Sequence, residues 1–142
     1  MITRDLIVET ARAWLRTPYH HQVSVRGAGC DCLGLVRGVW RDLYGSEPEL
    51  APPYTPDWGE AGGREVLLEA ADRHLTLLAR ADAGPGDVVI FRMQRQAIAK
   101  HAAILSFEGK MIHAQSGDRV REVNVGAWAR RAVAFYAFPG RG

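Results

Sequence analysis

Apolar residues recur at helical spacing through the first half of the chain and at strand-like spacing through the second. Ile7, Ala11, Trp14 and Leu15 stand at i, i+4, i+7 and i+8, which predicts an amphipathic helix from a Thr3 cap to about Leu15. Pro18 ends any helix at or before Thr17, because the residue before a proline is pushed out of the helical region. Cys32, Val36, Val39, Trp40 and Leu43 repeat the pattern and predict a second helix from near Asp31 to about Tyr44, with Gly45 as its C-cap. Leu67, Ala71, Leu75 and Leu78 predict a third from about Arg64 to Leu78, with His74 on the same side at the core edge. Residues 22–29 read as a loop, and 45–63, rich in proline and glycine, as a long connection.

After "DAGPGD" the pattern changes. Residues 87–91, 102–107, 110–115, 119–125 and 131–138 are short, β-branched or aromatic segments separated by turn signals such as "EGK" and "SGD". Helices followed by antiparallel strands make an α+β fold rather than a βαβ one.

Length and composition narrow the reading. At 142 residues the chain is expected to form one domain, 1–142, with a core of its own. Lys and Arg total 18 against 16 Asp and Glu, and the charges are interleaved, so nucleic acid is not an expected partner. No apolar run reaches the roughly 18 residues that a membrane span needs. "MITRDLIVETARAW" carries early charges and no apolar h-region, which predicts synthesis in the cytoplasm without a secretion signal.

Both cysteines lie in "GAGCDCLGLVRGVW", where a Gly-rich loop becomes the second helix. A disulfide between i and i+2 would be strained, and a chain kept in the cytoplasm is expected to hold its thiols reduced. Cys32 falls in the first helical turn, where unpaired N–H groups and the helix dipole favour a thiolate. Asp31, placed to cap that helix, opposes this charge, so an imidazole is needed as base or ion-pair partner. His101 and His113 are the candidates. They flank the tight "FEGK" turn at similar offsets, so antiparallel pairing of the two segments sets them on adjacent strands with a shared face. One imidazole can then activate Cys32 while the other orients the first, the logic of an acyl-transfer triad.

These fragments resemble the NlpC-type cell-wall peptidases, a papain-like family of bacterial and phage cysteine endopeptidases. "TPYHH" (17–21), "DCLGL" (31–35), "GPGDVVIF" (84–91), "HAAIL" (101–105) and "IHA" (112–114) match the family's segments in order. "CDCLGLV" is similar to the branch found in the tails of phages and gene transfer particles. The resemblance implies a papain-like fold with Cys32 as nucleophile, His101 as base and His113 as the orienting third member. It implies too that the Tyr19 hydroxyl and the Cys32 backbone N–H hold the oxyanion. The implied substrate is the stem peptide of peptidoglycan, cut between D-glutamate and the diamino acid. The implied partners are phage-like tail or baseplate proteins, in a particle that acts on a target cell's wall. This reading requires no cofactor and no metal.

The chain departs from the family pattern in places. Leu33 stands where the family often has serine, and "HHQ" follows Tyr19 where an aromatic and glycines are common. His20 and His21 either line the cleft or are exposed loop residues. Trp58, with Tyr54, either forms a cleft wall or belongs to a surface loop. Cys30 reads as a small buried or half-buried residue. Two rival readings stay open: a Cys/His metal site, for which "CDC" offers poor geometry, and a catalytically silent tail-assembly component.

Overall fold

A computed structural model of the protein describes residues 1–48 and 65–142. Helix α1 spans Arg4–Arg12, capped by Thr3, whose Oγ1 accepts the Leu6 N–H at 3.1 Å. It stops one turn short of the expected Leu15. Arg16 adopts a left-handed φ of 73° and donates its N–H to the Val120 carbonyl at 2.9 Å, so the chain leaves the helix to pair with a distant segment. Trp14 keeps its place in the core and donates its indole N–H to Asp42 at 3.0 Å.

A two-stranded ribbon, β1 (Ser24–Val25) and β2 (Gly29–Cys30), occupies what the sequence reads as a loop. Helix α2 follows as Cys32–Tyr44, close to its expected limits. Asp31 caps it, accepting the Gly34 N–H at 2.7 Å, and Gly45 closes it with φ 91°. Gly38 lets α1 and α2 approach closely: a Cβ there would stand 2.0 Å from Cζ2 of Trp14.

The third helix is shorter than expected. Helix α3 spans Val66–His74, and Thr76–Leu78 form strand β3. Leu75 and Leu78 fit the helical repeat, but Thr76, Leu77 and Leu78 pair with Ala137, Tyr136 and Phe135, and this tertiary pairing overrides the local pattern. His74 lies edge-on to Trp40 at 6.5 Å, at the margin of the core as expected.

The remaining strands are β4 (Val88–Arg92), β5 (Ala99–Leu105), β6 (Lys110–His113), β7 (Arg121–Asn124) and β8 (Ala132–Ala137). With β3 they form one antiparallel sheet in the order β3-β8-β4-β5-β6-β7. The α+β class expected from the sequence is the class observed. The main core lies between the helices and one sheet face, with Ile7, Trp14, Leu35, Val39, Ile90, Ile104 and Ile112 at its centre. Val89, Phe91, Ala103 and Met111 form a second cluster on the other face, under a 3-10 turn at Gly126–Arg131.

Two local features position the site. In the "PGD" turn, the fully buried Asp87 accepts from Arg4 at 2.9 Å, Arg141 at 2.8 Å and the Gly84 N–H at 3.0 Å. It thereby ties both ends of the chain to the start of β4. In β5, Phe91 faces His101 while Arg92 faces Ala99, which makes Lys100 an extra, bulged residue. Past the bulge, Ala99 turns toward the helical core while His101 faces the other cluster's side.

Candidate active site

Cys32 begins α2, and the residue is 8% exposed. β5 pairs with β6 at Ile104 and Leu105. Nearer the start of β5 the helix end takes the neighbour's place. The Cys32 thiol donates to the Lys100 carbonyl at 3.5 Å, and the Ala102 N–H also addresses the sulfur. The bulge thus presents a carbonyl to the thiol one residue before His101.

Carrying the β5–β6 register one step past Ile104–Ile112 sets His113 opposite Ala103 and diagonal to His101, on one face. The rings meet there, with His101 Nε2 and His113 Nδ1 2.8 Å apart. His101 Nδ1 is the ring nitrogen outside this contact. The shared face expected from the "FEGK" turn is present, diagonal rather than directly opposite.

Burial, and then the negative field of Asp31, pushes the Cys32 thiol up to about 12, against the pull of the N–H groups of Ala102, Leu33 and Cys32 itself. Burial and the neighbouring His113 lower His101 to about 3. Burial lowers His113 as well, opposed by the Asp118 carboxylate. At neutral pH the site therefore holds a thiol and two neutral imidazoles. Of the two roles the sequence left open for an imidazole, base or ion-pair partner, these directions favour the base. Sealing the sulfur from water outweighs the helix end, and the thiol hydrogen-bonds a carbonyl rather than an imidazole.

Tyr19 reaches the site on an extended strap. Its N–H donates to the Asp118 carbonyl at 3.0 Å, while the Cys30 N–H donates to Pro18 at 3.0 Å and the His20 N–H to Cys30 at 3.1 Å. The strap is wedged between β2 and the segment before β7. Burial, and then the neighbouring acidic groups Cys32, Asp31 and Cys30, raise the Tyr19 hydroxyl to about 12, so the phenol stays protonated and able to donate.

The other sequence-selected residues fall as follows. Cys30 is fully buried in β2, and burial raises its thiol to about 12. Asp31 holds the strap to the helix: one oxygen caps α2 and the other accepts the Gln22 N–H at 2.8 Å. His21 leans toward that same carboxylate, with Nδ1 3.9 Å from Oδ2. His20 is exposed and lies over Gly29, where an added Cβ would come 2.5 Å from its ring. Trp58 and Tyr54 lie outside the described residues. Among the described residues no group of three or more His, Cys, Asp or Glu side chains is arranged to hold a metal ion.

Sequence reasoning missed the aromatic surroundings of the histidines. Phe91 pairs with His101 across β4 and β5, its ring 5.9 Å away. Trp128, from the 3-10 turn, lies 5.2 Å from His101, 5.4 Å from His113 and 5.2 Å from Phe91. The alternation in "DVVIF" could have set Phe91 on the histidine face. Trp128 gave only the signal of a large aromatic in a polar turn.

Comparison with known proteins adds the following. The model of the NlpC/P60 family matches residues 16–136. A comparison with curated proteins finds no match. Among solved structures, the fold is similar to the NlpC/p60 domain of the peptidoglycan hydrolase SagA, at 24% identity and TM-score 0.68 over 95% of this chain and 98% of that one. It is similar to an NlpC/P60 family protein from Bacillus cereus, at 18% identity and TM-score 0.67 over 95% of this chain and 40% of that one. NlpC2 from Trichomonas vaginalis is 18% identical with TM-score 0.66, over 93% of this chain and 44% of that one. The chain thus spans nearly all of the SagA domain and less than half of the other two.

Proposed function

The chain belongs to the NlpC/P60 family, whose members are cysteine peptidases and peptidoglycan hydrolases, and on that premise we propose that it hydrolyses stem-peptide amide bonds of bacterial peptidoglycan with Cys32 as nucleophile. The observation that carries the assignment is the 2.8 Å contact of His101 Nε2 with His113 Nδ1, one residue along β5 from the carbonyl that accepts the Cys32 thiol.

The resting thiol and imidazole set the order of events. His101 carries its proton on Nε2 and donates it to His113 Nδ1, which leaves Nδ1 as the base. Substrate draws the thiol away from the Lys100 carbonyl. The proton then passes from Sγ to His101 Nδ1 as the Sγ–C bond forms, so no free thiolate accumulates. The Cys32 N–H at the start of α2 and the Tyr19 hydroxyl donate to the oxyanion of the tetrahedral intermediate. His101 returns the proton to the leaving amine, and a water activated by the same ring releases the thioester. His113 keeps the base in its productive tautomer throughout.

The scissile bond in this reading joins D-glutamate to the diamino acid, and His20 and His21 contact the polar stem. The "CDCLGLV" motif supports placing the enzyme in a phage-like tail or gene transfer particle, bound to tail or baseplate proteins. It is made in the cytoplasm and carried to a target cell's wall. Mass spectrometry of purified peptidoglycan digested with the protein tests the chemistry. Fragments with a new amino terminus on the diamino acid are expected. Fragments cut only within the glycan strand would overturn the peptidase reading.

A further inference from the structure

Four rings meet at the base, and Trp128 touches the other three. His101 and His113 are 5.1 Å apart, nearly perpendicular at 80°. Trp128 is tilted 31° to His101 and stands edge-on to His113 at 79° and to Phe91 at 61°. Phe91 closes the cluster with a tilt of 30° to His101. No other described side chain makes ring contact with both histidines.

The support for Trp128 is specific. Its backbone N–H donates to the Val125 carbonyl at 2.8 Å, and the Val125 backbone N–H donates to the Gly109 carbonyl at 2.8 Å in the turn between β5 and β6. The 3-10 turn is thus fastened to the hairpin that carries both histidines. On the indole lies the Arg131 guanidinium, 5.8 Å from the ring centroid.

Resting on the peptidase reading above, we propose that Trp128 is a positioning residue that fixes the plane of His101 and shields the His101–His113 hydrogen bond from water. Without the indole, His101 can swing about its χ2 angle and water can compete for Nε2, which loosens the contact with His113. An indole face also attracts cations and by itself would favour an imidazolium. Here Arg131 occupies that π system and adds a positive charge nearby, so exclusion of water decides the sign and the neutral ring wins. Around the pair, Asp118, which is bound to Arg121, acts on His113, and the Cys32 thiol bonds the Lys100 carbonyl one residue before His101. Lys100 adjoins His101 on β5.

Two readouts test this. Ring-proton NMR titration in a Cys32→Ala background reads the histidines without turnover, and steady-state kinetics reads the base in the intact enzyme. With Trp128→Leu, the histidine midpoints should rise by about one pH unit or more. kcat should fall roughly 10- to 100-fold with little change in KM, and the acid limb of the rate profile should move upward in pH. Trp128→Phe, which keeps a flat ring, should recover most of each effect. If Trp128→Leu fails to fold, Trp128→Met carries the same test. A folded variant with wild-type histidine midpoints and wild-type kcat overturns the proposal. A wild-type protein that releases no peptide sinks the peptidase reading instead, and the titration still decides what Trp128 does.

Discussion

Asp31 and Tyr19 show how much single side chains do at this site. Asp31 caps α2, anchors the strap through Gln22 and opposes charge on the neighbouring sulfur. Tyr19 offers a hydroxyl that burial keeps protonated. Its loss in Tyr19→Phe removes one oxyanion donor while keeping the ring, and should lower kcat on the order of 100-fold with KM nearly unchanged, measured on a synthetic stem peptide. The placement of Cys32, His101 and His113 was legible because each sits in a motif with a mechanical reason: a helix start for Cys32, paired strands for the histidines. The protonation state was not legible. The helix end argues for a thiolate, and only the packed structure shows the sulfur removed from water and turned to the Lys100 carbonyl.

At the scale of elements, the second helix could be read almost to its ends, because a side-chain cap and a left-handed glycine punctuate it. The first and third could not. Each ends where a distant partner claims the backbone, Val120 for Arg16 and β8 for Thr76–Leu78. Period alone cannot show such pairing. The Lys100 bulge was equally hidden, since an extra residue is defined only against the opposing strand. The close approach of α1 and α2 at Gly38 gives a direct prediction. Gly38→Val would drive a side chain into the Trp14 ring, and urea denaturation should show a loss of about 3 kcal/mol. Gly45→Ala, at a C-cap with nothing within 4 Å, meets only the left-handed backbone and should cost about 1 kcal/mol.

For the whole molecule, the buried histidine pair couples stability to pH. His101 is lowered to about 3 in the fold and His113 is lowered too, whereas unfolded histidines titrate near 6.5. Below that pH the unfolded chain binds more protons, so stability falls as pH drops and is fully present above it. Thermal unfolding should give Tm decreasing from pH 7 to pH 5, and His101→Gln should flatten that slope. The lowered carboxylates Glu47, Asp118 and Glu122 act in the same direction, but only at more acid pH.

The claim that joins these scales is that one thiol, at the start of α2, does the chemistry with the imidazole of β5. Release of soluble muropeptides from purified peptidoglycan, compared between the wild type and a folded Cys32→Ala variant, measures it most directly. The account predicts release by the wild type and none above background by Cys32→Ala. Equal release by both would contradict it.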